Sequence, residues 1–220
     1  MDRSNIKQRP ISTNRLKVKF DALLYSLLHP FDGFYECKHR GLKSVPLAII
    51  GIVLYGLVAC VKYQYTGFVI NSNPIHLMNS VRIFLSAISI FVLFAIANWT
   101  ITTLFNGKGF LTDILMVVGY ALYPVIAGDI FFIIGSNIVV QEEAMLLYAV
   151  SSIIWAWFAF LVVAGLTTIH EYTFGRTIVT ILASVASMTI IVFVVILYFT
   201  LMQQFISFFL SLIEEIIRRV

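Results

Sequence analysis

Five long apolar stretches, at residues 45–61, 83–104, 114–134, 144–166 and 178–202, alternate with short polar loops and follow a strongly basic segment of about 44 residues. A hydrocarbon core of about 30 Å takes roughly 20 mainly apolar residues as a helix, and each stretch is close to that length. The pattern predicts an all-α integral membrane bundle of five transmembrane helices. An amphipathic helix is predicted at each end of it. Between residues 15 and 28, Leu16, Phe20, Leu23, Leu24, Leu27 and Leu28 share one face while Arg15, Lys19 and Ser26 share the other. Such a helix suits the headgroup region or a groove on the bundle. After Met202 the pair Gln203-Gln204 interrupts the apolar run, and Phe205, Phe208, Phe209, Leu212, Ile216 and Ile217 continue on roughly one face. Residues 205–213 are too few for a sixth span, so an interfacial helix or an extension of the fifth helix is expected. The chain therefore divides into a basic N-terminal segment (1–44), a transmembrane domain (45–202) and an amphipathic C-terminal helix (203–220).

Local signals refine the outline. Residues 1 to 13 are polar, contain Pro10 and show no periodicity, so mobility is expected there. No apolar signal-peptide core appears within the first 15 residues, which leaves the first span as the expected targeting signal. Residues 29–41 read as a turn-rich connector in which Pro30 holds His29 extended and Gly33 and Gly41 supply bends. Tyr63, Tyr65 and Trp99 sit where aromatic side chains mark headgroup depth, whereas Trp155 is mid-span and suits packing. Small residues form a stripe on the fourth span (Ala149, Ser152, Ala156, Ala159) and a shorter one on the fifth (Thr180, Ala183, Ser187). Lipid gives helices no hydrophobic reason to associate, so these stripes predict that the two spans pack closely.

Charge gives the bundle a direction. The net charge is +4, and nine of the fifteen Lys and Arg residues precede the first span: Arg3, Lys7, Arg9, Arg15, Lys17, Lys19, Lys38, Arg40 and Lys43. That placement favours anionic lipid headgroups over nucleic acid as the partner. With this end inside, Lys108 and Arg176 also fall in cytoplasmic loops, and Lys62, Arg82, Arg218 and Arg219 fall outside. The balance predicts a cytoplasmic N-terminus and an extracytoplasmic C-terminus. Cys37 and Cys60 then lie on opposite sides of the membrane, which excludes a disulfide between them. The sequon Asn98-Trp99-Thr100 lies within a span and carries no information about glycosylation.

Polar groups at membrane depth are costly, and this chain has few. Asp129 is the acidic residue within a predicted span, expected to bond a neighbouring helix or reach interfacial water, with an ion or proton site as the competing role. Asn98 suits an interhelical hydrogen bond. In the third span Gly119-Tyr120-Ala121-Leu122-Tyr123-Pro124 precedes Gly128, and Pro124 predicts a kink of the kind that lines some transporter sites. Three lookalikes are set aside. His170-Glu171 starts the zinc motif H-E-x-x-H, but Phe174 stands at its second histidine. Glu214-Glu215 with Arg219 resembles the E-E-x-x-x-R of membrane CAAX-type proteases, and the spacing is better explained by favourable i,i+4 pairs with Arg218 and Arg219. His29, Glu36, Cys37 and His39 fit no structural zinc spacing. No catalytic residue, metal or cofactor is expected.

Several motifs, in their order, carry a family resemblance: His29-Pro30-Phe31-Asp32-Gly33-Phe34, Asn98-Trp99 followed by Gly107-Lys108-Gly109, the third-span segment 119–124, and the stretch from Trp155 through Gly165-Leu166 to His170. Over residues 29 to 200 the chain resembles the Yip1 domain family of five-span membrane proteins, in its bacterial branch. The resemblance implies a cytoplasmic N-terminus and a bacterial plasma membrane. Eukaryotic members act in vesicle traffic with prenylated small GTPases; this chain lacks their long N-terminal domain and D-L-Y-G-P type motif. Bacterial members resemble accessory proteins of membrane systems, solute uptake among them. The expected function is that of a non-enzymatic accessory or scaffolding protein whose partners are other integral membrane proteins, such as transporter subunits. A small transporter or channel using the third span and Asp129 is the alternative, and a homo-oligomer could supply its pore. The residues of interest are Asn98, Gly119, Tyr120, Pro124 and Asp129 in the spans, and Lys108, His170 and Arg176 on the cytoplasmic face.

Overall fold

The computed structural model describes residues 15–71, 73 and 78–219, apart from the side chains of Arg15, Leu16 and Arg219. The mobility expected of residues 1 to 13 and the pairing expected of Arg219 lie outside the described residues. Among the described residues seven α-helices follow one another, with a 3-10 turn (Gln141–Glu143) before the sixth: α1 (Arg15–Leu28), α2 (Pro30–His39), α3 (Val45–Tyr65), α4 (Ser80–Leu104), α5 (Leu111–Ser136), α6 (Ala144–His170) and α7 (Phe174–Arg219). The last five are long and apolar enough to cross a membrane. We call the end that carries α1 and α2 the near face and the other the far face.

The connector at 29–41 differs from its expected form. It is the helix α2, because Pro30 occupies a first-turn position where its missing N–H costs nothing, with Asp32 in the first turn and Lys38 and His39 in the last to match the helix dipole. Gly33 is no bend. It brings α2 against α1, where a Cβ would lie 2.3 Å from the Cα of Ser26. Gly41 does make the turn, at φ +67°. The α1 helix docks through Leu23 and Ser26, both fully buried, and leaves Phe20, Leu24 and Leu28 uncovered. Ser26, grouped with the polar face by its spacing, is thus part of the docked edge, because Gly33 of α2 lets that side of α1 approach closely.

The bundle is built around α5. Ile114, Met116, Val117, Val118, Tyr120, Ala121, Leu122 and Val125 are fully buried, between α3 on one side and α6 on the other. α4 packs against α3, and α7 packs mainly against α4. The α3–α5 contact is backbone-close, since a Cβ on Gly119 would sit 2.5 Å from the carbonyl oxygen of Ala48 and one on Gly51 would sit 2.6 Å from that of Gly119. Without a hydrophobic drive in lipid, such close van der Waals approach is what holds helices together. Helix α5 continues through Pro124, and Tyr123 beside it donates to the carbonyl of Leu47 on α3 at 2.9 Å. Tyr55, Phe91, Trp155 and Phe158 join α3, α4 and α6 edge to face, with centroids 5.1–6.2 Å apart.

The expected close packing of the fourth and fifth spans is corrected. Helices α6 and α7 meet near their connecting loop, where Thr167 and Thr177 share a hydrogen bond of 2.9 Å, and then diverge. Thr177, Thr180 and Ser184 of α7 are buried, whereas Ala149, Ser152, Ala156 and Ala159 of α6 are all exposed. Small residues permit close approach without specifying a partner, and α6 spends its bulky face, Leu161, Val162, Leu166 and Ile169, on the core instead. The C-terminal stretch is an extension of the fifth span. Helix α7 runs unbroken for 46 residues, and almost every residue from 189 to 218 is exposed. Glu214 and Arg218 pair along it at 2.8 Å.

Replacing Gly119 by Leu must push α3 and α5 apart, costing about 1–3 kcal/mol or more. Thermal unfolding of the detergent-purified protein should show a clearly lowered midpoint, while Gly175→Ala, which meets open space, leaves it unchanged or slightly higher.

Candidate functional site

The near-face loops converge on His170. It ends α6, is 2% exposed, and accepts a hydrogen bond at Nδ1 from the N–H of Gly109 at 3.3 Å. That bond places the ring proton on Nε2, which has no partner among the described residues. Gly107 and Gly109 bracket the ring closely, because a Cβ on either would fall 2.5 or 2.8 Å from it. Tyr172 stacks on the imidazole with centroids 5.3 Å apart, and the guanidinium of Arg176 lies 4.5 Å from the centre of the Tyr172 ring. Gly107-Lys108-Gly109, His170 and Arg176, distant in sequence, therefore form one cap.

Cations lock this cap rather than stand free on it. Lys38 of α2 donates to the carbonyls of Ile169 and Lys108, which ties the N-terminal hairpin to both loops. Arg176 and the Tyr172 hydroxyl both donate to the carbonyl of Phe105, just past the end of α4. Lys108 pairs with Glu171 at 2.5 Å, with His39 3.9 Å away on the other carboxylate oxygen. The Lys108 hydrogen bond holds the Glu171 carboxyl below its ordinary range, although the residue is open to solvent. Glu171 also carries the left-handed backbone, φ 54°, that caps α6 and that a glycine would adopt more easily. Cys37, buried beneath the cap, has its thiol pushed up to about 11 by burial and then by Glu36, so it stays protonated and unreactive.

Two further ion pairs clamp α3 to α5. At the near face Lys43 lies 2.8 Å from Asp113, whose other oxygen accepts from the N–H of Phe110 at 3.0 Å and so caps α5. Next to it the N–H of Ser44 donates to the hydroxyl of Tyr120 at 3.1 Å. Toward the far face Lys62 lies 2.5 Å from Asp129, and the Gly67 N–H donates to Ser136 Oγ at 2.8 Å. Asn98 serves the other interface: its amide donates to Ser184 Oγ of α7 at 3.0 Å. Gly119 is the α3 crossing point, Tyr120 its bonded neighbour, and Pro124 lies one turn further along the same helix.

Sequence reasoning misses Lys43, Lys62, Lys38 and Asp113. A third span beginning at residue 114 leaves Asp113 outside it, but α5 begins at Leu111, so this carboxylate is in its first turn and 1% exposed. A first span ending at residue 61 leaves Lys62 in a loop, but it belongs to the last turn of α3. The usable signal is depth: Lys62 and Asp129 each sit within two turns of the far end of a helix, close enough for a lysine stem to reach.

A family model, the Yip1 domain, matches residues 24–209. No curated protein matches the chain, and no solved structure does.

Lys43→Met strands the carboxylate of Asp113 and should cost at least about 2 kcal/mol in the detergent-solubilised protein. Lys108→Met removes a pair whose partners are well exposed, and its unfolding midpoint should stay near wild type.

Proposed function

The chain belongs to the Yip1 domain family, and from that premise we propose that it is a non-enzymatic membrane protein that assists or organises other integral membrane proteins. The observation that carries this reading is the uncovered small-residue face of α6, formed by Ala149, Ser152, Ala156 and Ala159. In lipid such a face is where another helix approaches most closely. The ionisable side chains chosen from the sequence are engaged in holding helices and loops together: Asp129 by Lys62, and Lys108 by Glu171. That use favours a scaffold over a reaction centre. The partner is another span, a solute-uptake subunit in a bacterial plasma membrane being the example the resemblance suggests; in a eukaryotic cell it would belong to membrane traffic.

The near face is cytoplasmic in this reading. Lys17 is exposed on α1, the helix whose Phe20, Leu24 and Leu28 are uncovered. Such a cation is worth about 1 kcal/mol against anionic headgroups. A transporter is the alternative reading, favoured by the Lys62–Asp129 pair standing beside a small cavity.

Affinity purification in mild detergent should bring down a stoichiometric membrane partner, and the double change Ala149→Leu with Ala156→Leu should release it while the protein still unfolds at its usual temperature. Solute flux through liposomes holding this protein alone, abolished by Asp129→Asn, would sink the scaffold reading. For orientation, a periplasmically active phosphatase fused after residue 219 should be active and one fused in the loop at Lys108 inactive; the reverse pattern overturns the assignment.

A further inference from the structure

The ammonium of Lys62 uses one of its three donors on Asp129, at 2.5 Å, and lies 4.8 Å from the centre of the Phe132 ring. Beside it opens a cavity of about 200 Å³ whose walls include Lys62, Ile70, Phe132, Tyr148 and Ser151. The hydroxyls of Tyr148 and Ser151 have no hydrogen-bond partner among the described residues, so three side chains from α3 and α6 offer donors to one small space. Ile70 and Phe132 supply an apolar wall to it. We propose that this cavity binds the phosphodiester headgroup of a membrane phospholipid.

Depth and hydrogen-bond donors select that occupant. Lys62 is in the last turn of α3, and Tyr148 and Ser151 are in the first two turns of α6, so the cavity stands where hydrocarbon gives way to headgroups. A phosphodiester carries one negative charge and several acceptor oxygens, which matches one ammonium and two hydroxyls. Asp129 behind the ammonium fixes its position and balances its formal charge, and Glu142 and Glu143 stand just before α6. That balance disfavours a multiply charged soluble anion. A lipid needs less attraction, because the bilayer already holds it at this depth and its acyl chains lie along α3 and α6.

Native mass spectrometry of the full chain in detergent, titrated with phosphatidylglycerol, with diacylglycerol of the same chains and with inorganic phosphate, tests the site. The expected result is a single phosphatidylglycerol adduct, with diacylglycerol and inorganic phosphate each binding at least about tenfold more weakly. Tyr148→Phe combined with Ser151→Ala should weaken that adduct about tenfold, by the loss of two hydrogen bonds. Lys62→Arg should retain it. Lys62→Met should lose it but leaves Asp129 buried and unpaired, so the decisive comparison is between the hydroxyl double variant and the wild type. Equal binding of diacylglycerol, equal binding of inorganic phosphate, or an unchanged adduct in the double variant overturns the proposal.

Discussion

The contact between α3 and α5 is the interaction on which the rest of the bundle depends. Lipid gives two apolar helices no reason to prefer each other over acyl chains, so they associate only where packing is better than lipid can offer. Gly51 and Gly119 provide that by letting one backbone lie against the other. With α3 fixed, α5 is free to present its remaining surface to α6 and α4, and its near half becomes buried on nearly all sides while Ile130, Phe131 and Ile134 toward the far end stay exposed.

Close packing alone would allow the two helices to slide, and polar clamps at either end prevent it. Lys43 with Asp113 and Ser44 with Tyr120 fix the near end, while Lys62 with Asp129 and Gly67 with Ser136 fix the far end. Ion pairs removed from water add little net stability, because desolvation consumes most of their attraction. Their value here is register: any slip strands a carboxylate in a low-dielectric setting. The same economy explains the near-face cap, where Lys38, Arg176 and Tyr172 satisfy carbonyls left open at loop and helix ends.

Elements that depend on local periodicity were legible in the sequence, and those that depend on a choice of partner were not. The span count follows from hydrophobic length, and α1 from its 3.6-residue pattern. The stripe Ala149–Ala159 was legible as a surface for close approach, yet not as one left open, because nothing local records that α5 would take the opposite face of α6. Residues 29–41 misled for a different reason: Pro30 and Gly33 suit a turn in isolation, and only the proximity of Ser26 shows that Gly33 serves helix packing. Of the site, Lys108, His170 and Arg176 stand out individually by loop position, but their gathering around one imidazole needs three loops to be placed at once.

By itself the sequence determined that the protein lives in a bilayer, how many times it can cross, and which few polar groups must be accounted for, because hydrophobic length and desolvation cost are properties of short segments. The tertiary structure alone decided which helices touch, that Asp129 is answered by Lys62 and Asp113 by Lys43, and that α6 and α7 turn uncovered faces outward. Those outcomes rest on distances between residues far apart in the chain, and in lipid, where burial does not discriminate between partners, steric fit and charge pairing settle them.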